Sequence, residues 1–125
     1  MKRILAIALF SMAPMMASAD YVDVIEFKLK EGCSFQKYLA IVKDFNEWGA
    51  KNGYQSEVLA PVQSNNLVSM FWAGRTKDAA AFGKAWDTWR NAQADANSVE
   101  AKLWARFLAC STNVARYGYD TYSGK

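Results

Sequence analysis

Tyr21-Val22-Asp23-Val24-Ile25-Glu26-Phe27-Lys28-Leu29 is the stretch that decides the fold of this chain. Successive side chains of an extended strand point to opposite faces, so Ile25, Phe27 and Leu29 share one face while Val22, Val24, Glu26 and Lys28 share the other. Glu31-Gly32-Cys33 then turns the chain. Ser34 is placed to accept a bond from an unpaired first-turn amide, which predicts a helix over 35–51. Phe35, Tyr38, Leu39, Val42, Phe45 and Trp48 recur at three- and four-residue spacing and give that helix one broad apolar face. Asn52-Gly53 supplies a left-handed residue to end it.

Residues 54–62 read as a second strand and 67–74 as a third, with Gln63-Ser64-Asn65-Asn66 as the hairpin loop. Pro61 cannot donate to a ladder, which makes the second strand an edge. The third, Leu67-Val68-Ser69-Met70-Phe71-Trp72-Ala73-Gly74, is apolar on both faces and reads as central, with something packed on each side. Thr76 is the expected cap of the next helix, where Phe82, Trp86 and Trp89 fall on one stripe. A break follows at Ala96-Asn97. Asn97-Ser98-Val99-Glu100 then has a capping-box spacing before a short helix carrying Leu103 and Phe107. A fourth strand over 112–122 completes the order strand, helix, strand, strand, helix, strand. This is an α+β chain of the ferredoxin-like β-α-β-β-α-β type, with a short extra helix before the last strand and a four-stranded antiparallel sheet. Both main helices cover one face of such a sheet. The other is left bare, although it carries Val22, Val24 and half of the third strand, and burying one large aliphatic side chain is worth roughly 1.5–3 kcal/mol. A homodimer that covers this face is expected.

Ahead of the domain, Lys2 and Arg3, an apolar run over 4–16 and the small-residue ending Ala17-Ser18-Ala19 describe a secretory signal peptide at 1–19. Residues 20–125 are then a single domain of about 106 residues, a common domain size. The run is short for a bilayer span of roughly 20 residues, so no membrane anchor is expected after cleavage, and the location is periplasmic or secreted. Without Lys2 and Arg3, 13 basic residues face 12 acidic ones. These charges are interspersed, and nothing in them favours nucleic acid. In an oxidising compartment Cys33, after the first strand, and Cys110, before the fourth, lie where antiparallel neighbours meet. A disulfide between them is expected, with two small buried thiols as the alternative. The chain has no histidine, which excludes imidazole-ligated haem and Ser-His-Asp or Cys-His nucleophiles. Two cysteines alone leave a zinc site half built, so no metal and no cofactor are expected. The seven glycines are scattered and read as turn residues or helix contacts.

The run Val24-Ile25-Glu26-Phe27-Lys28-Leu29-Lys30-Glu31-Gly32, the hairpin ending in Leu67-Val68-Ser69-Met70-Phe71-Trp72, and the Ala- and Trp-rich helix followed by a short one together resemble the dimeric α/β-barrel superfamily. Within it they are similar to NIPSNAP-like or antibiotic-biosynthesis-monooxygenase-like domains. The resemblance implies two sheets that face each other across a dimer and enclose a cavity for a small aromatic or apolar molecule. Four residues are candidates to line that cavity. Glu26 and Lys28 point away from the helices; they form either an interface ion pair or, for Glu26 under a partner sheet, an acid or base. Trp72 is either core or an aromatic wall, with Trp86 as its purely structural counterpart. Arg116 either pairs with Glu26 or clamps an anionic ligand. No catalytic constellation is legible in these residues, which favours a small-molecule-binding dimer. The alternative implied by the resemblance is a cofactor-independent monooxygenase or isomerase acting on an aromatic or quinone-like substrate.

Overall fold

The computed structural model describes residues 19–123; all of the expected leader except Ala19 lies outside the described residues. The elements are β1 (Tyr21–Leu29), α1 (Phe35–Asn52), β2 (Gln55–Leu59), β3 (Met70–Thr76), α2 (Ala79–Ala92), α3 (Val99–Cys110) and β4 (Ser111–Asp120). They form the ferredoxin-like arrangement, with one four-stranded antiparallel sheet in the order β2-β3-β1-β4 and α3 inserted before the last strand. Phe27 is completely buried and Trp72 is 5% exposed. Both pack in one cluster with Tyr38, Phe45 and Trp48 of α1, Ala85 and Trp89 of α2, and Leu103 and Phe107 of α3. All three helices therefore lie on the face of β1 that carries Ile25 and Phe27, and we call this the inner face. Phe45 is the hub of the core. Its ring meets those of Trp48, Tyr54, Trp72, Trp89 and Phe107, mostly edge-on, as ring quadrupoles prefer.

Local chemistry sets the element ends. Ser34 Oγ accepts from the Lys37 amide at the start of α1, and Gly53, at φ 66°, ends it in the left-handed region. The cap of α2 is Asp78 rather than Thr76: Thr76 is still paired with Tyr21 in the sheet, and the Asp78 carboxylate accepts from the Ala81 amide at 2.7 Å. Ser98 caps α3, accepting from the Ala101 amide. The cap is thus one residue later than the Asn97 of the expected capping box, which puts Ala101 rather than Glu100 at the third helical position; Glu100 accepts instead from Trp48 Nε1 at 2.7 Å and ties α3 to α1. The β2–β3 connection is longer than the tetrad expected from sequence, spanning 60–69. Asn66 Oδ1 accepts from the amides of Val68 and Ser69 and holds those residues in a turn, so β3 begins only at Met70.

As Pro61 implied, β2 is an edge strand, and it ends two residues before that proline. Asn46 of α1 closes the edge. Its side-chain amide donates to the Ser56 carbonyl and accepts from the Ser56 amide, as the peptide of a fifth strand would. At the other end of the molecule Cys33 and Cys110 form a disulfide with Cα atoms 5.2 Å apart, joining the entry to α1 to the end of α3. Closing a loop with a sequence separation of 77 contributes about 4–5 kcal/mol in the chain-entropy account. Outside the sheet, opposite the helices, Leu59, Tyr117 and Tyr119 are exposed while Val24 and Phe71 are half-buried. None of the described helices is long and apolar enough to cross a membrane.

Candidate functional site

Asp23 is the unexpected residue. It stands on the inner face of β1 and is 1% exposed. Its cross-strand partners are Gly74 on β3 and Gly118 on β4. The missing side chains at these positions make room for two phenol rings, since a Cβ on Gly74 would collide with the Tyr54 ring and one on Gly118 with Tyr21. These two glycines are thus neither turn residues nor helix contacts, as the sequence suggested, but gaps that admit aromatic rings around a buried carboxylate. Arg116 donates to Asp23 from both Nε (2.8 Å) and Nη2 (2.7 Å), the two-pronged geometry that suits a planar guanidinium. The Tyr54 hydroxyl donates to Asp23 Oδ2 and accepts from Trp72 Nε1, each at 2.9 Å.

A carboxylate taken out of water needs such partners, because an unpaired buried charge costs several kcal/mol. Burial, and next the Asp23 charge, push the Tyr54 pKa well above the ordinary phenol value and keep the hydroxyl protonated. Burial works against the Arg116 charge, but the hydrogen bonds and negative charge of Asp23 outweigh it and raise the Arg116 pKa. Tyr38, deeper in the core, is likewise pushed up by burial.

Beside this network lies a cavity of about 100 Å³ between the inner face and the helices. Trp72 and Phe107 form part of its floor, Phe82, Trp86 and Trp104 part of its wall, and Asp23, Asn113 and Arg116 its polar side. The Arg116 guanidinium carbon sits 4.1 Å from the centre of the Trp86 ring, and Trp86 in turn stacks on Phe82 with ring planes 10° apart. Asn113 and Arg116 are three residues apart and in a regular strand would face opposite ways. The β1–β4 register shifts between Glu26 and Phe27, pairing Ala115 with Glu26 and Asn113 with Phe27, so Val114 is an extra residue. This bulge turns both Asn113 and Arg116 inward.

The four candidate residues therefore do not line one pocket. Trp72 and Arg116 border the inner cavity, whereas Glu26 and Lys28 stand on the outer face, where neither takes part in an ion pair among the described residues. Arg116 lies opposite Ile25 and bonds Asp23, not Glu26, because the bulge sets its parity. Trp86, expected to be purely structural, is half-buried at the cavity wall against Arg116, and Trp72 is the more deeply buried of the two. Sequence reasoning missed Asp23, Tyr54 and Asn113. The signal for Asp23 was a lone carboxylate at the same parity as Ile25 and Phe27. No group of three or more Cys, Asp or Glu side chains among the described residues is arranged to hold a metal ion.

No family model matches the sequence, and no curated protein matches it. Solved structures do match at the level of the fold. SnoaB, a cofactor-independent oxygenase from Streptomyces nogalater, superposes with a TM-score of 0.58 at 13% identity, covering 84% of this chain and 95% of that one. The Arabidopsis thaliana protein At3g17210 gives a TM-score of 0.58 at 14% identity, covering 86% and 98%. A dimeric protein of ferredoxin-like fold from Bacteroides fragilis gives 0.48 at 13% identity, over 82% and 96%. At 13% and 14% identity, SnoaB and At3g17210 share the fold of this chain, and the likeness extends to the fold alone.

Proposed function

We propose that this protein binds a small aromatic or apolar molecule in the cavity between its sheet and helices, and that it works as a periplasmic or secreted homodimer paired through the outer face of the sheet. The observation that carries the binding reading is the cavity: aromatic walls with a few converging polar groups are the usual make-up of a small-molecule site. The exposed Leu59, Tyr117 and Tyr119 beside the half-buried Val24 and Phe71 support the dimer, since a contiguous apolar patch on a sheet face marks an interaction surface. The leader-like residues 1–19 and the disulfide support the location.

The second reading is a cofactor-independent oxygenase, favoured by the fold shared with SnoaB. Such chemistry calls for a base to activate the substrate. Asp23 is the only carboxylate among the residues lining the cavity, and both of its oxygens are already engaged by Arg116 and Tyr54. Binding without turnover is therefore the better-supported function. Native mass spectrometry of the protein as isolated should show a dimer carrying a co-purifying small molecule, and oxygen uptake over a panel of polyphenols should stay at background. Sustained uptake would replace the binding reading with the enzymatic one.

A further inference from the structure

The Arg116 guanidinium has more donors than Asp23 consumes. Nε–H and one N–H of Nη2 go to the carboxylate, which leaves three of its five N–H groups. Nη1 finds no hydrogen-bond partner among the described residues, and the side chain remains 37% exposed. The charge is fixed in place from two sides, by Asp23 and by the Trp86 ring 4.1 Å below it. A guanidinium locked along one edge, with its other edge open beside an aromatic cavity, is preorganised to take an acceptor from a ligand. The bulge at Val114 turns the Asn113 amide toward the same cavity, and that amide also has no hydrogen-bond partner among the described residues. At about 100 Å³ the cavity is smaller than the dry cavity of about 150 Å³ that holds one benzene, so it has room for no more than one ring, which would keep one edge at the opening beside the partly exposed Arg116.

We infer that the cavity takes a single aromatic ring, free or as one end of a larger planar molecule, bearing a conjugated oxygen acceptor that is held by the open edge of Arg116 and by Asn113. The inference rests on the cavity being the binding site and adds the chemical class of its occupant. A donor group is disfavoured by the same arrangement: Arg116 offers it no lone pair, and even a donor met by Asn113 Oδ1 would leave Nη1 unmatched.

The test is a series of single-ring probes on the purified wild-type protein, followed through the tryptophan indole N–H resonances. Benzoate and benzaldehyde, both acceptors, should bind about tenfold or more tighter than toluene and aniline, the difference expected of hydrogen bonds to a charged group. Asn113→Leu and Arg116→Lys should weaken the acceptors severalfold more than they weaken toluene; lysine keeps a charge for Asp23 but lacks the planar fork. Acceptors that bind no better than toluene or aniline would overturn the assignment of Arg116 and leave the cavity reading standing. A series in which toluene also fails to bind would overturn both. If the Arg116 variant does not fold, the probe series on wild-type protein and the Asn113 variant, whose side chain is exposed, still decide the matter.

Discussion

The two faces of one sheet have opposite characters here, and β1 shows it residue by residue. On the inner face Asp23 is buried among aromatic rings with three hydrogen bonds, and no buried side-chain polar atom among the described residues lacks a partner. On the outer face the alternating positions hold Val22, Val24, Glu26 and Lys28, and the neighbouring strands add Phe71, Tyr117 and Tyr119. The charge that needs shielding lies inside, and much of the apolar surface that needs covering lies outside. The inner face is therefore complete within one chain. The outer face keeps Leu59, Tyr117 and Tyr119 exposed, and the proposed dimer would cover them.

The largest effect should come from Trp72→Ala. Trp72 is 5% exposed and packs edge-on against Phe45 and Phe107, so its truncation should cost about 3–5 kcal/mol in urea unfolding. Trp86→Ala removes a half-buried wall and a cation–π contact, a loss of about 1–2 kcal/mol, and should weaken ligand binding more than it weakens the fold. Equal losses in the two variants would contradict the assignment of Trp86 to the cavity wall. Next is Asp23→Ala, which strands Arg116 and the Tyr54 hydroxyl. Breaking a buried pair costs 3–5 kcal/mol in general, and the partial exposure of Arg116 lets it rehydrate, so about 3 kcal/mol is expected by the same measurement. A change under 1 kcal/mol would mean that the network is dispensable to the inner face.

The elements of both faces were legible from periodicity and punctuation. Ser34 and Gly53 bound α1 because capping chemistry is local, and Pro61 marks an edge because a missing donor acts wherever it sits. The site was legible only in part. The inward turn of Arg116 depends on one inserted residue, Val114, and a bulge is a property of the pairing between two strands, invisible in either strand alone. For the same reason Gly74 and Gly118 looked like scattered glycines until the register placed them on either side of Asp23. Thr76 was misread as a cap because it lies two residues before the true one, and the pairing of β3 with β1 through Tyr21 outweighs its capping preference.

A smaller effect, from the inner face, depends on pH. Tyr54 and Tyr38, both inside, have phenol pKa values raised above the ordinary 10.0, chiefly by burial. In the unfolded chain these phenols ionise near the ordinary value, whereas in the folded chain they hold their protons. Their contribution is therefore complete below pH 10 and is lost as pH rises from there toward the folded values. Denaturant unfolding should show stability falling above pH 10, and Tyr38→Phe should flatten that slope. An unchanged slope in Tyr38→Phe would show that burial of this phenol does not set the alkaline limit.

The smallest effect on the fold should come from the outer face, through Tyr117→Glu combined with Tyr119→Glu. The two residues are 47% and 51% exposed and their rings neighbour each other on β4. Surface substitutions of this kind usually change the stability of a single chain by no more than about 0.5 kcal/mol. Across a dimer interface they place desolvated carboxylates against an apolar partner, which a self-paired sheet cannot tolerate. Sedimentation should therefore show a wild-type dimer and a monomeric variant. The wild-type melting temperature should rise with protein concentration, by mass action, and that of the variant should not. Near-UV dichroism of the variant should keep its tryptophan signal, because all five tryptophans belong to the inner face or to the helices that pack on it. A wild-type monomer at micromolar concentration would show that the outer face is simply solvated, and the dimer would then be withdrawn while the inner cavity stands.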